Sequence, residues 1–478
     1  MKPILAALVL PALLSVTAQA TLDLRQLPGR QTITQSQADR HDFCILPKTL
    51  PGFVYNQKLL EKDQGTEADL CGLNLYSASG EIAACAKLNS TNPGLKIFKL
   101  KTAAGGRAKW ETAECGKVDP KGEGKMVAKF KQTMTCSYAP SPIAYYHISR
   151  VLDAQPVVPV GVLRTMDART HLEYVKKGAI AAKKIYGVSE PGAPILRAWT
   201  QLWPAAHQNK PAVLFDSSGT QVWGGLLDSP KGKELYSEVF KKPGARFNYD
   251  TRYQDFKLTA PYLKLKNSAP LATKLGTDLT TVAQPMVQMK DVSDMILLDY
   301  LLNQQDRMGN IHYLSYYLYL KDGELKDKKV KDEDATDGTA ADMKAKGAVV
   351  VKRMLLADND CGVTKDNLMR SNQILEGMGH MGLETYRRLL WLSKQLQTPE
   401  WKSFFREELQ FTQNDLEKSS GANPGLLVNA ANAAKILQDK CRKGTLQLDL
   451  NIILQLQGKN ITDSKPFCDL PANYQPGV

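Results

Sequence analysis

The chain lacks most of the short signals that name a chemistry. No pair of its eight cysteines has CxxC spacing, so a zinc site of the usual kind is not expected. There is no GxSxG, which removes the sequence support for a Ser-His-Asp hydrolase. Gly105 and Gly106 lack GxGxxG spacing, and the chain shows no internal repeat. Six histidines are present, and neither His147 nor His312 has a histidine partner four residues away for a metal. No Lys/Arg block is long enough to predict nucleic-acid binding, although the net charge is +13. After residue 20, no stretch reaches the roughly 18 apolar residues of a membrane-spanning helix.

What the chain does have begins with MKPILAALVLPALLSVTAQA. One Lys, an apolar core and a terminal Ala-Gln-Ala predict a secretory leader cleaved after Ala20. The net charge falls to +12 once Lys2 leaves with it, and the remaining lysines read mainly as a solvated surface. All eight cysteines follow the leader: Cys44, Cys71, Cys85, Cys115, Cys136, Cys361, Cys441 and Cys468. An even number in an exported chain predicts disulfides, with periplasmic and secreted destinations both open. Spacing does not determine their connectivity; Cys441 with Cys468 is the simplest local pairing.

Residues 21–92 read as an N-terminal extension braced by disulfides. From Pro93 the pattern turns to strands. GLKIFKLKT, RAKWETAEC and MVAKFKQT alternate, with glycine-containing turns between them, and predict an antiparallel meander. SPIAYYHISRVLDA opens with Ser141 and Pro142, a helix N-cap and first position. VVPVGVLR predicts a strand, PAVLFDSSGTQVWGGLL a hairpin around Ser217-Ser218-Gly219, and DVSDMILLDYLLNQQ a buried helix. YLSYYLYL and VVVKRMLLA are strands on either side of residues 321–346, whose Lys, Asp and Glu content predicts a solvated loop or flexible insertion. Beyond Gly382 the pattern is helical.

The chemistry-bearing stretches are LLNQQDRMGNIH and VVVKRMLLADNDCGV. An Asp-Arg pair and a nearby Asn end an apolar helix; 52 residues after Asp306, Asp358 ends an apolar strand. Phosphoryl transfer requires an acid beside the acceptor hydroxyl and oxygen ligands for the ion that bridges nucleotide phosphates. Asp306 suits the first role, Asn310 and Asp358 the second. Asp360 is a rival to Asp358. The plain alternative for Asp306 is a helix-terminal acid paired with Arg307.

In these blocks the chain resembles the atypical kinases of the secretory pathway, the group of the Golgi casein kinase. It is more distantly similar to the HipA-like and phosphatidylinositol kinases. Three blocks carry the resemblance in order: GKMVAKFKQT, IAYYHISRVLDAQPVVPVGVLR, and DYLLNQQDRMGNIH with LLADNDCGV. The resemblance covers roughly residues 95–365. It implies an α+β, two-lobed protein-kinase-like fold: a strand-rich N-lobe over 93–290 and a mainly helical C-lobe over 291–478. It also implies ATP with Mg or Mn, and a protein or small hydroxyl-bearing acceptor. Lys129 takes the position of the nucleotide-binding lysine, with Lys131 on the same face as its understudy. Gly105 and Gly106 take the turn over the phosphates. Pro142 stands where the family carries a Glu, and DRMGN is one residue shorter than the HipA-like loop. Three functions stay open: a kinase, a pseudokinase acting as a binding partner or activator, and a kinase-fold AMP transferase.

Overall fold

A computed structural model describes residues 31–37, 39–76, 80–101, 104–187 and 193–477; the leader over 1–20 lies outside the described residues. The architecture is α+β, with a mostly antiparallel, strand-rich N-terminal part and a helical C-terminal part. Among the described residues, no helix is long and apolar enough to cross a membrane.

The first part is built on seven antiparallel strands: β1 (Gln31–Gln37), β2 (Arg40–Leu46), β3 (Ile82–Ala86), β4 (Gly94–Leu100), β5 (Gly124–Lys131), β6 (Gly161–Asp167) and β7 (Gln221–Asp228). Their spatial order is β1-β2-β6-β7-β5-β4-β3. Residues expected to form a separate extension therefore supply both ends of the sheet. Helix α1 (Gln57–Gly72) is bound to this sheet covalently by Cys44–Cys71. The join also contains a buried ion pair. Arg164 on β6 donates to Asp42 on β2 at 2.9 Å and to the Leu70 carbonyl at 2.7 Å.

The meander is real but differently composed. Its strands are β3, β4 and β5, and RAKWETAEC is a helix, α2 (Arg107–Glu114), rather than a strand. The alternation there was misleading because Arg107, Trp110, Glu111 and Glu114 also share a helical face. Trp110 packs on Phe98 at 4.9 Å between ring centroids, Glu111 accepts from Arg107, Tyr174 and Lys177, and Cys115 bonds Cys85.

Helix α3 (Pro140–Val151) follows the lysine strand. It starts two residues before the expected Pro142, because both prolines fit a first turn. Ser141 is not its cap; its hydroxyl donates to the Asn359 carbonyl at 2.7 Å. Helix α4 (Ala168–Tyr186) is capped by Asp167. The hairpin expected around Ser217-Ser218-Gly219 reduces to β7 and one bridge, Phe215 with Val222.

A second sheet joins β8 (Glu234–Leu235), β9 (His312–Lys321), β10 (Glu324–Lys329) and β11 (Val349–Leu355). The charged segment 321–346 is thus not a flexible insertion. It pairs with β9 from Glu324 to Lys329 and continues into a short helix, Thr339–Ala345, seated by buried Met343. Most of its charged side chains stay in water, Asp334 being a buried exception, while its backbone completes the sheet.

The long helix Leu279–Leu301 carries the expected apolar face and buries Val292, Met295, Ile296 and Asp299. Helices Leu383–Gln395, Pro399–Glu407 and Leu426–Arg442 fill the C-terminal part, and Cys441 bonds Cys468 as expected. Asn460 is buried and donates to the Asp449 carbonyl and to Gln455, so this side chain is committed internally.

Removing one partner of a buried ion pair strands the other charge. Arg164→Ala is expected to destabilise the protein by about 3–5 kcal/mol. Urea unfolding checks this, and a loss under about 1 kcal/mol would place the pair outside the energetics of the β2–β6 join.

Candidate functional site

The site forms where the end of β5 meets the chain leaving β11. Alternation along β5 puts Lys129 and Lys131 on one face. Lys131 is 2% exposed, and its ammonium donates to Asp358 Oδ1 at 3.2 Å and Asp360 Oδ2 at 2.8 Å. The lysine that makes direct contact is therefore Lys131, with Lys129 buried beside it. Asp360 is nearly as enclosed as Lys131, whereas 29% of the Asp358 side chain stays exposed. Asp358 is the carboxylate open to a ligand, and Asp360 is the one that anchors the lysine.

Three other ammonium groups act on this acid pair. Lys87 follows β3, Lys129 lies on β5, and Lys233 precedes β8. Burial pulls Lys129 down to about 8 and Lys87 to about 7, with repulsion from Lys131 adding to the fall for Lys87. Burial also lowers Lys233. Burial works against charge on Asp358, yet Lys131, then Lys87 and Lys129, hold its carboxyl well below the usual range. On Lys131, burial is likewise outweighed by Asp358 and Asp360, which raise it. Lys96 pairs across from Lys129 but turns away to the Val118 carbonyl and Asp119. His312, at the start of β9, is pushed down to about 4 by burial and by Lys233.

The loop Asp358–Cys361 is held from several sides. Tyr138 N–H donates to the Asp360 carbonyl at 2.8 Å, and Gln305 N–H donates to the Cys361 carbonyl at 3.0 Å. Asn359 accepts from Arg307 at 2.7 Å. Cys361 is bonded to Cys136, 225 residues earlier, which joins this loop to the exit of the lysine strand.

Asp306 and Arg307 part company. Arg307 makes two 2.8 Å bonds to Asp299, both side chains fully buried, and Tyr145 donates to the same carboxylate at 2.7 Å. Asp306 instead meets Arg252 at 3.1 Å, and Asn310 donates to its Oδ2 at 3.1 Å and its carbonyl at 2.9 Å. The guanidinium of Arg252 lies 3.5 Å from the Tyr249 ring centroid. Burial raises Asp306, Arg252 opposes this, and the nearby Asp358 and Asp360 add to the rise.

Gly105 and Gly106 are not brought to the site. They adopt φ of +69° and +92° at the start of α2, beyond the Leu100–Gly124 end of the β4–β5 pair. Lys129 lies five residues from Gly124, about 17 Å along the strand. The turn nearest the lysines is the one between β3 and β4, residues 87–93. Its Asn92 donates to Cys361 Sγ and accepts from Thr135. Lys87, Lys233 and Arg252 were not singled out by sequence, because each enters from a segment without a motif.

Among the described residues, no group of three His, Cys, Asp or Glu side chains could hold a metal ion. Asn310 bonds to Asp306, and Asp358 bonds to Lys131. A cavity of about 910 Å³ lies toward the other end of β5, lined by Lys125, Val127, Asp228 and Lys231. The lysine cluster is not part of its wall, so cavity size and site chemistry point to different places; the buried charges are the better guide. No family model, curated protein or solved structure matches the chain.

The lowered Lys87 sets a pH signature. In the unfolded chain this lysine titrates near 10.4. Between about 7 and 10 the unfolded state then binds more protons, so stability rises with pH across that window. Lys87→Met is expected to stabilise the protein most at and below pH 7, with the advantage shrinking toward pH 10. Thermal melts of both proteins across pH 6–10 check this; a constant difference would contradict it.

Proposed function

We propose that the protein is an exported, ATP- and metal-dependent kinase-like phosphotransferase acting on a protein Ser/Thr or other hydroxyl acceptor. One observation carries the reading: buried Lys131 is shared by Asp358 and Asp360, and the charge of these acids reaches Asp306, which Asn310 bonds. The lysine sits on the third strand of a meander and is followed by a helix, as the kinase resemblance requires of a two-lobed fold. Four disulfides fit an oxidising, exported setting. We read that setting as periplasmic or secreted.

In this reading Lys131 and Lys129 meet the α- and β-phosphates as cations. Asp306 accepts the proton of the acceptor hydroxyl, and its raised affinity for a proton suits that task. Arg252 and Asn310 hold the carboxylate in one orientation. Asp358 and Asn310 are the groups that would hold Mg or Mn. When bound, the ion neutralises phosphate charge. The Glu expected near the start of α3 is replaced by Pro142, and Asp360 supplies the lysine's carboxylate from the other side of the site.

A specific observation favours the pseudokinase alternative. Lys131 engages both carboxylates and Arg252 engages Asp306, so each acid already has a cation. Incubation with ATP and Mn²⁺, followed by intact mass, distinguishes phosphoryl from adenylyl addition and from no addition. For a kinase, Asp306→Asn is expected to lower transfer by roughly two to four decades while nucleotide affinity changes little. Transfer that survives the substitution at full rate would move the base elsewhere.

A further inference from the structure

The sheet register arranges the lysines as a row. Lys87 N–H donates to the Gly94 carbonyl at 2.9 Å, and Gly94 is the cross-strand partner of Lys131. Neighbouring strands lie about 4.8 Å apart, so Lys87 and Lys131 flank a residue without a side chain at about 10 Å between backbones. Lys129 is the next residue on that face of β5, about 7 Å along the strand. Lys233 enters from the opposite sheet, beside the β8–β9 pairing. Directly opposite residues project to the same face of a sheet, so Lys87 and Lys131 rise on either side of Gly94.

The charges in this row do not balance. Lys131 takes both Asp358 and Asp360. Among the described residues, Lys87, Lys129 and Lys233 form no ion pair within 4.0 Å. With all four lysines protonated, two carboxylates would leave an excess of two positive charges in a largely buried place, and burial accordingly lowers the proton affinity of Lys87, Lys129 and Lys233. Asp306 does not offset them, since Arg252 already pairs with it. Buried cations without partners cost free energy, and an anion carrying several charges removes that cost. Because Lys131 engages both acids, the lysines can hold a phosphate chain without an ion to neutralise it.

We propose that Lys87, Lys129, Lys131 and Lys233 form a polyphosphate-binding site that holds its ligand without a divalent ion, closed over by the β3–β4 turn. The inference deepens the phosphotransferase reading and rests on it for the identity of the donor, but not for binding itself. The turn Lys87–Pro93 takes the place over the phosphates that glycines were expected to fill. Its lysine replaces backbone N–H groups as the anion donor, and Asn92 fastens it to Cys361 on the acid-bearing loop.

The test is calorimetric titration of the intact protein with inorganic tripolyphosphate in EDTA. Saturable binding is expected, weakened at least about tenfold by Lys87→Met and by Lys233→Met, the loss expected for one charged hydrogen bond. Lys87→Arg should retain it, and Lys459→Met, at an exposed position in the C-terminal part, should not change it. Melting temperatures report whether each variant folds; Lys87→Met should melt no lower than the parent. If Lys87→Met does not fold, Lys233→Met and the wild-type titration decide the matter. No binding in EDTA, binding that appears only with Mn²⁺, or equal affinity in folded Met variants would overturn the proposal. Binding without any phosphoryl transfer would overturn only the phosphotransferase reading. Transfer without binding in EDTA would overturn only this one.

Discussion

A lysine that stays charged in the interior is stabilised by a carboxylate beside it, and here one lysine binds two. Lys131 lies between Asp358 and Asp360 with almost no access to water. Its charge is tolerable only while both acids stay in place, because a buried charge that loses its partner costs several kcal/mol, of order 3–5. The positions of β5, β11 and the loop after β11 are therefore interdependent. The surrounding bonds act on that loop: Tyr138 and Gln305 bind its backbone, Arg307 binds Asn359, and Cys136 is bonded to Cys361.

The same economy explains why Asp306 and Arg307 separate. Arg307 is wholly buried and is neutralised by Asp299 from the long helix, with Tyr145 of α3 completing the carboxylate's bonds. That frees Asp306 to face outward, where Arg252 and Asn310 orient it. One Asp-Arg dipeptide thus does two jobs. Its arginine joins the long helix to the acid-bearing loop, and its aspartate is presented at the surface of the site.

Much of the secondary structure was legible because its period was unambiguous. MVAKFKQT alternates cleanly and forms β5; DVSDMILLDYLL keeps one apolar face and forms the long helix. RAKWETAEC was misread because its spacing satisfies both periods, and packing of Trp110 on Phe98 decided for the helix. The charged segment 321–346 carries little apolar signal. It is ordered mainly through backbone pairing with β9, which no side-chain pattern announces. Strand β2 was hidden for a related reason: it joins β6 far along the chain, with Cys44 opposite Arg164.

The sequence by itself determined the inventory of reactive groups: the lysines of β5, the Asp306–Asn310 loop, the acids after β11, and an even set of cysteines. Those follow from local order and spacing, which a linear chain displays. Only the tertiary structure decided which lysine meets which acid. Strand register placed Lys87 beside Gly94 and Lys131, and long-range closure turned Arg252 toward Asp306. The same closure left Gly105 and Gly106 at the far end of β5. The physical reason is that ion pairing and burial depend on distance in space: Arg252 and Asp306 lie 54 positions apart, Lys131 and Asp360 229.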